Sequence, residues 1–144
     1  RRYHRHGYAA VSFGAPMSLA EFERDHPEAG LRGLARALMA RIGAEVPVLP
    51  VPLVARALMQ AEGPLTRDAL DAAVAEMLGA VPRAHVHLPR KDLGYAARFG
   101  IQVLRKRGMI EERQGAFVIT EAERPVVAYY AASIDHLFCG RSRG

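Results

Sequence analysis

One cysteine, no tryptophan and only 7% aromatic residues leave this chain with few of the groups that usually announce chemistry. A lone thiol, Cys139, excludes an internal disulfide framework and fits a reducing compartment. Set in an apolar run, it reads as a small core residue rather than a nucleophile. No stretch is long and apolar enough to span a bilayer as a helix, and no secretory signal pattern opens the chain. There is no glycine-rich phosphate loop and no nucleophile spaced beside a base, so the sequence gives no support to nucleotide-loop or triad-hydrolase chemistry.

What is present is an ordinary globular composition: 50% apolar, 24% charged, and 144 residues, enough for one domain with a real core. Abundant alanine and scarce aromatics favour helix. The net charge of +5 is compatible with nucleic acid, an anionic membrane surface or phosphorylated ligands, and does not choose among them. The first six residues, RRYHRH, form a basic cluster read as a solvated linker or as an anion-attracting patch. Because Arg1 is not methionine and the chain opens on a strand-like run, it is expected to be a piece of a longer protein.

Gly7–Phe13 is strand-like, and Gly14-Ala15-Pro16 ends it. Ser18 three residues before Glu21 is a capping box opening a short helix through Leu19 and Phe22. After a turn over Asp25–Gly30, Leu31, Leu34, Leu38 and Ile42 share one face of an amphipathic helix running to Ala44, with Arg32, Arg36 and Arg41 mostly off that face. Three prolines in Val46–Pro52 predict an extended apolar strap, with a helix starting from Pro52 and running over Leu53–Ala61. Thr66 caps a helix over Arg67–Leu78 with Leu70, Val74 and Met77 or Leu78 inward. Val81–Lys91 is expected to be loop. Leu93–Arg107 follows as a helix with Ala96, Ala97, Ile101 and Leu104 in its core stripe. Gly108 stops it, and Met109–Glu112 and Ala116–Thr120 flank a Gln114-Gly115 hairpin turn. Thr120 and Glu123 are expected to cap a last helix. The run Val126–Cys139, apolar nearly all round, is expected to be the buried central post of the fold.

The segment VSFGAPMSLAEF resembles the pattern V-x-F-G-E-P-x-S-L-x-x-[FY] that follows the last conserved block of the membrane-associated glycerol-3-phosphate acyltransferase family. Val11, Phe13, Gly14, Pro16, Ser18, Leu19 and Phe22 agree, and Ala15 replaces the usual glutamate. Ile42, Pro47, Val48, Pro50, Leu53, Val54, Ala55, Ala57 and Leu58 follow a second pattern, with Gly43 in place of asparagine. Leu65, Thr66 and Leu70 fit a third, and Tyr129, Tyr130, Ile134, His136 and Phe138 a fourth, where Ala131 and Ala132 replace arginine and asparagine. The order and spacing of these modest motifs are together specific, from about Gly7 to Cys139.

The resemblance implies a catalytic HxxxxD motif, its histidine the base on the acceptor hydroxyl and its aspartate orienting the ring. One literal match exists, His87 to Asp92, but it contains Pro89 and lies after the Gly-x-Pro break, whereas the family's motif lies well before it. The catalytic residues are therefore expected upstream of Arg1, and none is assigned here. Phe13, Gly14, Pro16, Tyr129, Tyr130 and His136 are family-motif positions of structural or unknown role. His85 and His87 lack a third ligand at useful spacing, so no metal site is expected. Asp135 and His136 are adjacent on a helix and point apart, which argues against an acid–base pair.

The expected fold is α+β, mainly α. Residues 1–30 end an acyltransferase catalytic domain, and residues 31–144 form a helical domain with a small winged-helix-like hairpin. What the resemblance implies for the intact protein is acyl transfer from acyl carrier protein or coenzyme A to glycerol 3-phosphate in phospholipid synthesis, with no cofactor. The implied partners are the catalytic domain of the same polypeptide and an anionic membrane surface, met peripherally at the cytoplasmic face of the inner membrane. This region alone is expected to be inactive. The competing reading is a winged-helix DNA-binding module over residues 66–120, with Arg98, Arg105, Lys106, Arg107 and Arg113 toward phosphates. Against it, the wing carries Glu111 and Glu112, and the basic residues sit at the wrong end of the helix for base reading.

Overall fold

The computed structural model describes residues 12–81 and 92–138, and it is mainly helical with a small antiparallel sheet. It divides into two compact units, residues up to Val46 and residues from Pro47 onward.

The first unit holds helix α1 (Leu19–Asp25) and helix α2 (Gly30–Ala44). Ser18 caps α1 as expected, its hydroxyl oxygen accepting from the Glu21 amide at 3.3 Å. Between the helices the chain turns through Gly30, whose φ of +55° suits a residue without a Cβ. Phe22 of α1 lies about a van der Waals distance from where a Cβ on Gly33 would stand. Neither helix buries a residue, and Leu31, Leu38, Met39 and Ile42 are exposed. The face expected to pack thus stands open in the described chain. Of the expected strand, only Ser12 and Phe13 are described; neither is in a strand, and the remainder lies outside the described residues.

The second unit is built on helix α3 (Pro50–Gln60), which is the actual centre of the fold. Pro50, Pro52, Leu53, Val54, Ala55, Ala57 and Leu58 are all buried, and α3 packs on α4 (Arg67–Ala80), α5 (Leu93–Lys106) and α6 (Arg124–Ala132). The expected strap is accordingly shorter: the chain is extended only to Leu49, and the helix starts at Pro50. Pro50 and Pro52 both fall in the first turn, where backbone N–H groups have no partner within the helix, so neither ring breaks a bond. Gly100 of α5 lets this helix close on α3, since a Cβ there would stand 2.6 Å from the Pro50 carbonyl oxygen and 2.6 Å from Val54 Cγ2.

Around that post the sequence pattern holds. Leu70, Val74, Met77 and Leu78 of α4 and Ala96, Ala97, Ile101 and Leu104 of α5 join one hydrophobic cluster. The Thr66 hydroxyl oxygen accepts from the Ala69 amide at 3.3 Å, capping α4. Strand β2 (Ile110–Arg113) and strand β3 (Ala116–Ile119) pair antiparallel through Gln114 and Gly115, whose φ values of +52° and +79° make a primed turn. The two-residue strand β1 (Leu65–Thr66) adds to the other edge of β3, in the order β1-β3-β2. The sequence α3, β1, α4, α5, β2, β3 is the element order of a winged helix.

The last helix departs most from expectation. Thr120 makes no capping bond; its hydroxyl donates to the Gly108 carbonyl at 2.8 Å, and a 3₁₀ turn over Glu121–Glu123 precedes α6. Helix α6 ends at Ala132, where the Ser133 hydroxyl donates to the Tyr130 carbonyl at 2.7 Å, and a 3₁₀ turn follows over Asp135–Leu137. Val127, Ala131 and Ile134 are buried, but Val126 and Tyr129 are exposed. This segment is therefore a two-piece flank of α3 rather than the central post. Cys139 lies outside the described residues.

Candidate functional site

The six motif positions fall into two groups, one in each unit. In the first unit, Phe13 is almost fully exposed, at 90%. Gly14 faces the side chain of Glu45, and a Cβ on Gly14 would stand 3.2 Å from the Glu45 carboxylate. One guanidinium nitrogen of Arg41 donates to the carbonyls of Ala15 at 3.3 Å and Pro16 at 3.1 Å. The Gly-x-Pro break is thus tied to the C-terminal end of α2 by a cation the motif does not contain. Its only signal in the sequence is that Arg41 sits at the edge of the apolar stripe. Beside it is a shallow groove of about 150 Å³ whose lining includes Pro16, Ser18, Glu21, Asp25, His26 and Arg41.

In the second unit, Tyr129 is three-quarters exposed and packs edge-on to Tyr130 at 6.3 Å. The phenol oxygen of Tyr130 accepts from Arg107 at 2.8 Å, fastening α6 to the end of α5. Next along, Asp135 pairs with Arg56 of α3, whose guanidinium also lies 4.6 Å from the ring centre of Phe138. Only 14% of the Arg56 side chain is exposed, so this cation sits under the C-terminal segment rather than in solvent. His136 is exposed on the adjoining turn. Asp135 is engaged by Arg56.

The winged-helix face is also engaged. Arg98 pairs with Asp92 at 2.7 Å, Arg105 with Glu112 at 3.0 Å and Arg113 with Glu111. The Arg98 bond holds the Asp92 carboxyl below its ordinary value of 3.8. The amides of Gly94 and Tyr95 act in the same direction, although neither closes a capping bond to the side chain. Four of the five cations that would meet phosphates are therefore committed within the protein, counting Arg107 with Tyr130. His85 and His87 lie outside the described residues, and so does most of the literal HxxxxD match; its last residue, Asp92, is the partner of Arg98. Among the described residues no group of three or more His, Cys, Asp or Glu could hold a metal, and no helix is long and apolar enough to cross a membrane.

The contacts around these two groups tie neighbouring segments together: Arg41 to the Ala15 and Pro16 carbonyls, Arg107 to Tyr130, and Arg56 to Asp135. The family model described as the glycerol-3-phosphate acyltransferase C-terminal region matches residues 1–143. No curated protein and no solved structure matches the chain.

Proposed function

Because the chain belongs to the glycerol-3-phosphate acyltransferase C-terminal family, we propose that it is the supporting region of an enzyme that acylates the first hydroxyl of glycerol 3-phosphate. The observation that carries this reading is the family match over residues 1–143, reinforced by four motifs in the family's order. The acyl donor is acyl carrier protein or coenzyme A thioester, used as substrate, and no cofactor is required. In the reaction the thioester C–S bond breaks as the ester C–O bond forms, and a histidine of an HxxxxD block takes the hydroxyl proton. That block belongs to the catalytic domain of the same polypeptide, and the product enters phospholipid synthesis at the cytoplasmic face of the inner membrane.

The exposed apolar side chains of the first unit, Phe13, Leu19, Leu31, Leu38, Met39 and Ile42, support the same reading. A unit with no buried residue in either helix gains its stability from surfaces it meets in the intact protein. The test is transferase assay of the intact protein with labelled glycerol 3-phosphate and each donor, beside the purified 144-residue chain. Turnover by the intact protein alone is expected. Turnover by the 144-residue chain would place the reacting groups inside it, and acylation of a monoacyl acceptor but not of glycerol 3-phosphate would change the substrate.

A further inference from the structure

Ala96, Ala97, Gly100, Ile101 and Leu104 occupy the buried side of α5. At 100° per residue, the opposite side carries the N-cap Asp92 and then Tyr95, Phe99, Gln102 and Lys106, all within an arc of about 80°. They recur at alternating steps of three and four residues, the spacing of a seam between two helices. Asp92, Phe99, Gln102 and Lys106 are exposed, and Tyr95 is partly so. The Tyr95 and Phe99 rings stack with their centres 5.5 Å apart and their planes 16° from parallel, yet Phe99 stays 40% exposed. Along one flank, Arg98 and Arg105 are held within the chain by Asp92 and Glu112. Among the described residues Lys106 enters no ion pair.

A seam with aromatic rings toward its centre, a carboxylate at one end and an ammonium at the other is its own complement when two copies run antiparallel. Turned about an axis at Phe99, that ring meets the partner's Phe99, Tyr95 meets the partner's Gln102, and Asp92 meets the partner's Lys106. Ring packs on ring, a phenol faces an amide able to bond it, and opposite charges close both ends. A carboxylate accepts more than one donor, so Asp92 keeps Arg98 while it takes the ammonium. A parallel arrangement would set like charges together at both ends. Stacking at i and i+4 supports α5 itself, but it does not call for opposite charges at the two ends of the same stripe.

We propose that the exposed face of α5 is the contact between two copies of this chain, packed antiparallel about Phe99. Aromatic residues within a rim of both charge signs are the composition of a protein interface rather than of a nucleic-acid one. The contact stands on α5 alone and is independent of the reaction assigned to the intact protein. One helix face is a small interface, so a reversible dimer with a dissociation constant of about 10–100 µM is expected.

Sedimentation equilibrium of the 144-residue chain and of the intact protein should show that dimer, and Phe99→Ala should weaken it about tenfold or more. Lys106→Glu and Asp92→Lys each place like charges at both ends and should each weaken it. An equimolar mixture of those two variants restores opposite charges at both ends, so a heterodimer should re-form. A second measurement avoids the Arg98 partner altogether. With the one native cysteine removed as Cys139→Ser, Phe99→Cys should form a disulfide-linked dimer on mild oxidation, because the axis brings that position against its own copy. Lys106→Cys, at the far end of the seam, should not.

A monomer at all concentrations up to about 1 mM overturns the proposal. So does a dimer indifferent to Phe99→Ala, a mixture no better than its single variants, or equal cross-linking of the two cysteine variants. A monomeric intact protein whose turnover falls with Phe99→Ala also overturns it, and would give the α5 face to the catalytic domain instead.

Discussion

The guanidinium of Arg107 donates to the phenol oxygen of Tyr130 at 2.8 Å, joining the C-terminal end of α5 to α6 across 23 residues of sequence. Both groups belong to the surface, and the bond is charge-assisted but solvent-screened, so its net worth is about 1 kcal/mol. Tyr130→Phe and Arg107→Ala should each destabilise the fold by about that amount. The double variant should lose little more than either single one. Urea unfolding of the four proteins in the cycle measures the coupling. Strict additivity would mean that the contact contributes nothing.

The same bond has a bearing on nucleic acid. Arg98, Arg105 and Arg113 are paired with carboxylates, and Arg107 with a phenol, on the face that a DNA-reading winged helix would present. A phosphate contact from any of these four cations would first require breaking its pair. Fluorescence anisotropy with mixed-sequence duplex should therefore show no submicromolar binding at moderate salt. Submicromolar binding with a steep salt slope would restore the DNA reading.

Much of the second unit was legible because its signals are local. Thr66 caps where a threonine before a helical period should, Gly108 stops α5 with a φ of +70°, and Gln114-Gly115 forms the turn its composition demands. Centrality, by contrast, is not local. The run from Val126 looked central because it is apolar all round, yet Tyr129 is exposed and the helix gives way at Ser133. Helix α3 holds the centre because its prolines occupy a first turn that has no amide bonds to lose, and because Gly100 lets α5 approach it. That approach pairs residues some 50 positions apart, beyond the reach of periodicity. In the first unit the motif residues were legible as a pattern, while the Arg41 bonds that fix Ala15 and Pro16 needed coordinates.

Gly100 gives a prediction whose sign is informative. Alanine in place of a mid-helix glycine normally stabilises by about 0.5–1 kcal/mol. Here the added methyl would stand 2.6 Å from both the Pro50 carbonyl oxygen and Val54 Cγ2, in a buried seam. Gly100→Ala should instead destabilise by about 1–3 kcal/mol, lowering the melting temperature by roughly 4–8 °C for each kcal/mol. Calorimetry on the two proteins decides it, and an unchanged or raised melting temperature would show that α3 and α5 are not so closely packed.

Asp92 makes a pH prediction. Its carboxyl is held below 3.8 first by the hydrogen bond from Arg98, which outweighs the opposing effect of desolvation, and then by that residue's charge and the Tyr95 and Gly94 amides. A carboxyl lowered in the folded state contributes stability above its unfolded value, and that contribution is lost as pH falls through the folded one. The start of α5 should therefore loosen only under distinctly acid conditions. Carbon-detected NMR titration should place the Asp92 midpoint below 3.8, and Arg98→Ala should raise it toward that value. A midpoint unmoved by the substitution would show that the pair does not persist in solution.

Arg56 and Asp135 differ in what each leaves behind when its partner is removed. The Arg56 side chain is 14% exposed beneath Phe138, whereas that of Asp135 is 47% exposed. Without Asp135 the guanidinium remains mostly out of water with its counter-charge gone; without Arg56 the carboxylate can hydrate. Asp135→Ala should thus cost about 1–2 kcal/mol, a buried-pair penalty reduced for the exposed partner. Arg56→Met, which keeps the packing against Phe138 and removes the charge, should cost less. Chemical denaturation of both variants gives the order. The reverse order would mean that the ion pair itself, rather than the cost of an unpaired buried cation, holds the C-terminal turn against α3.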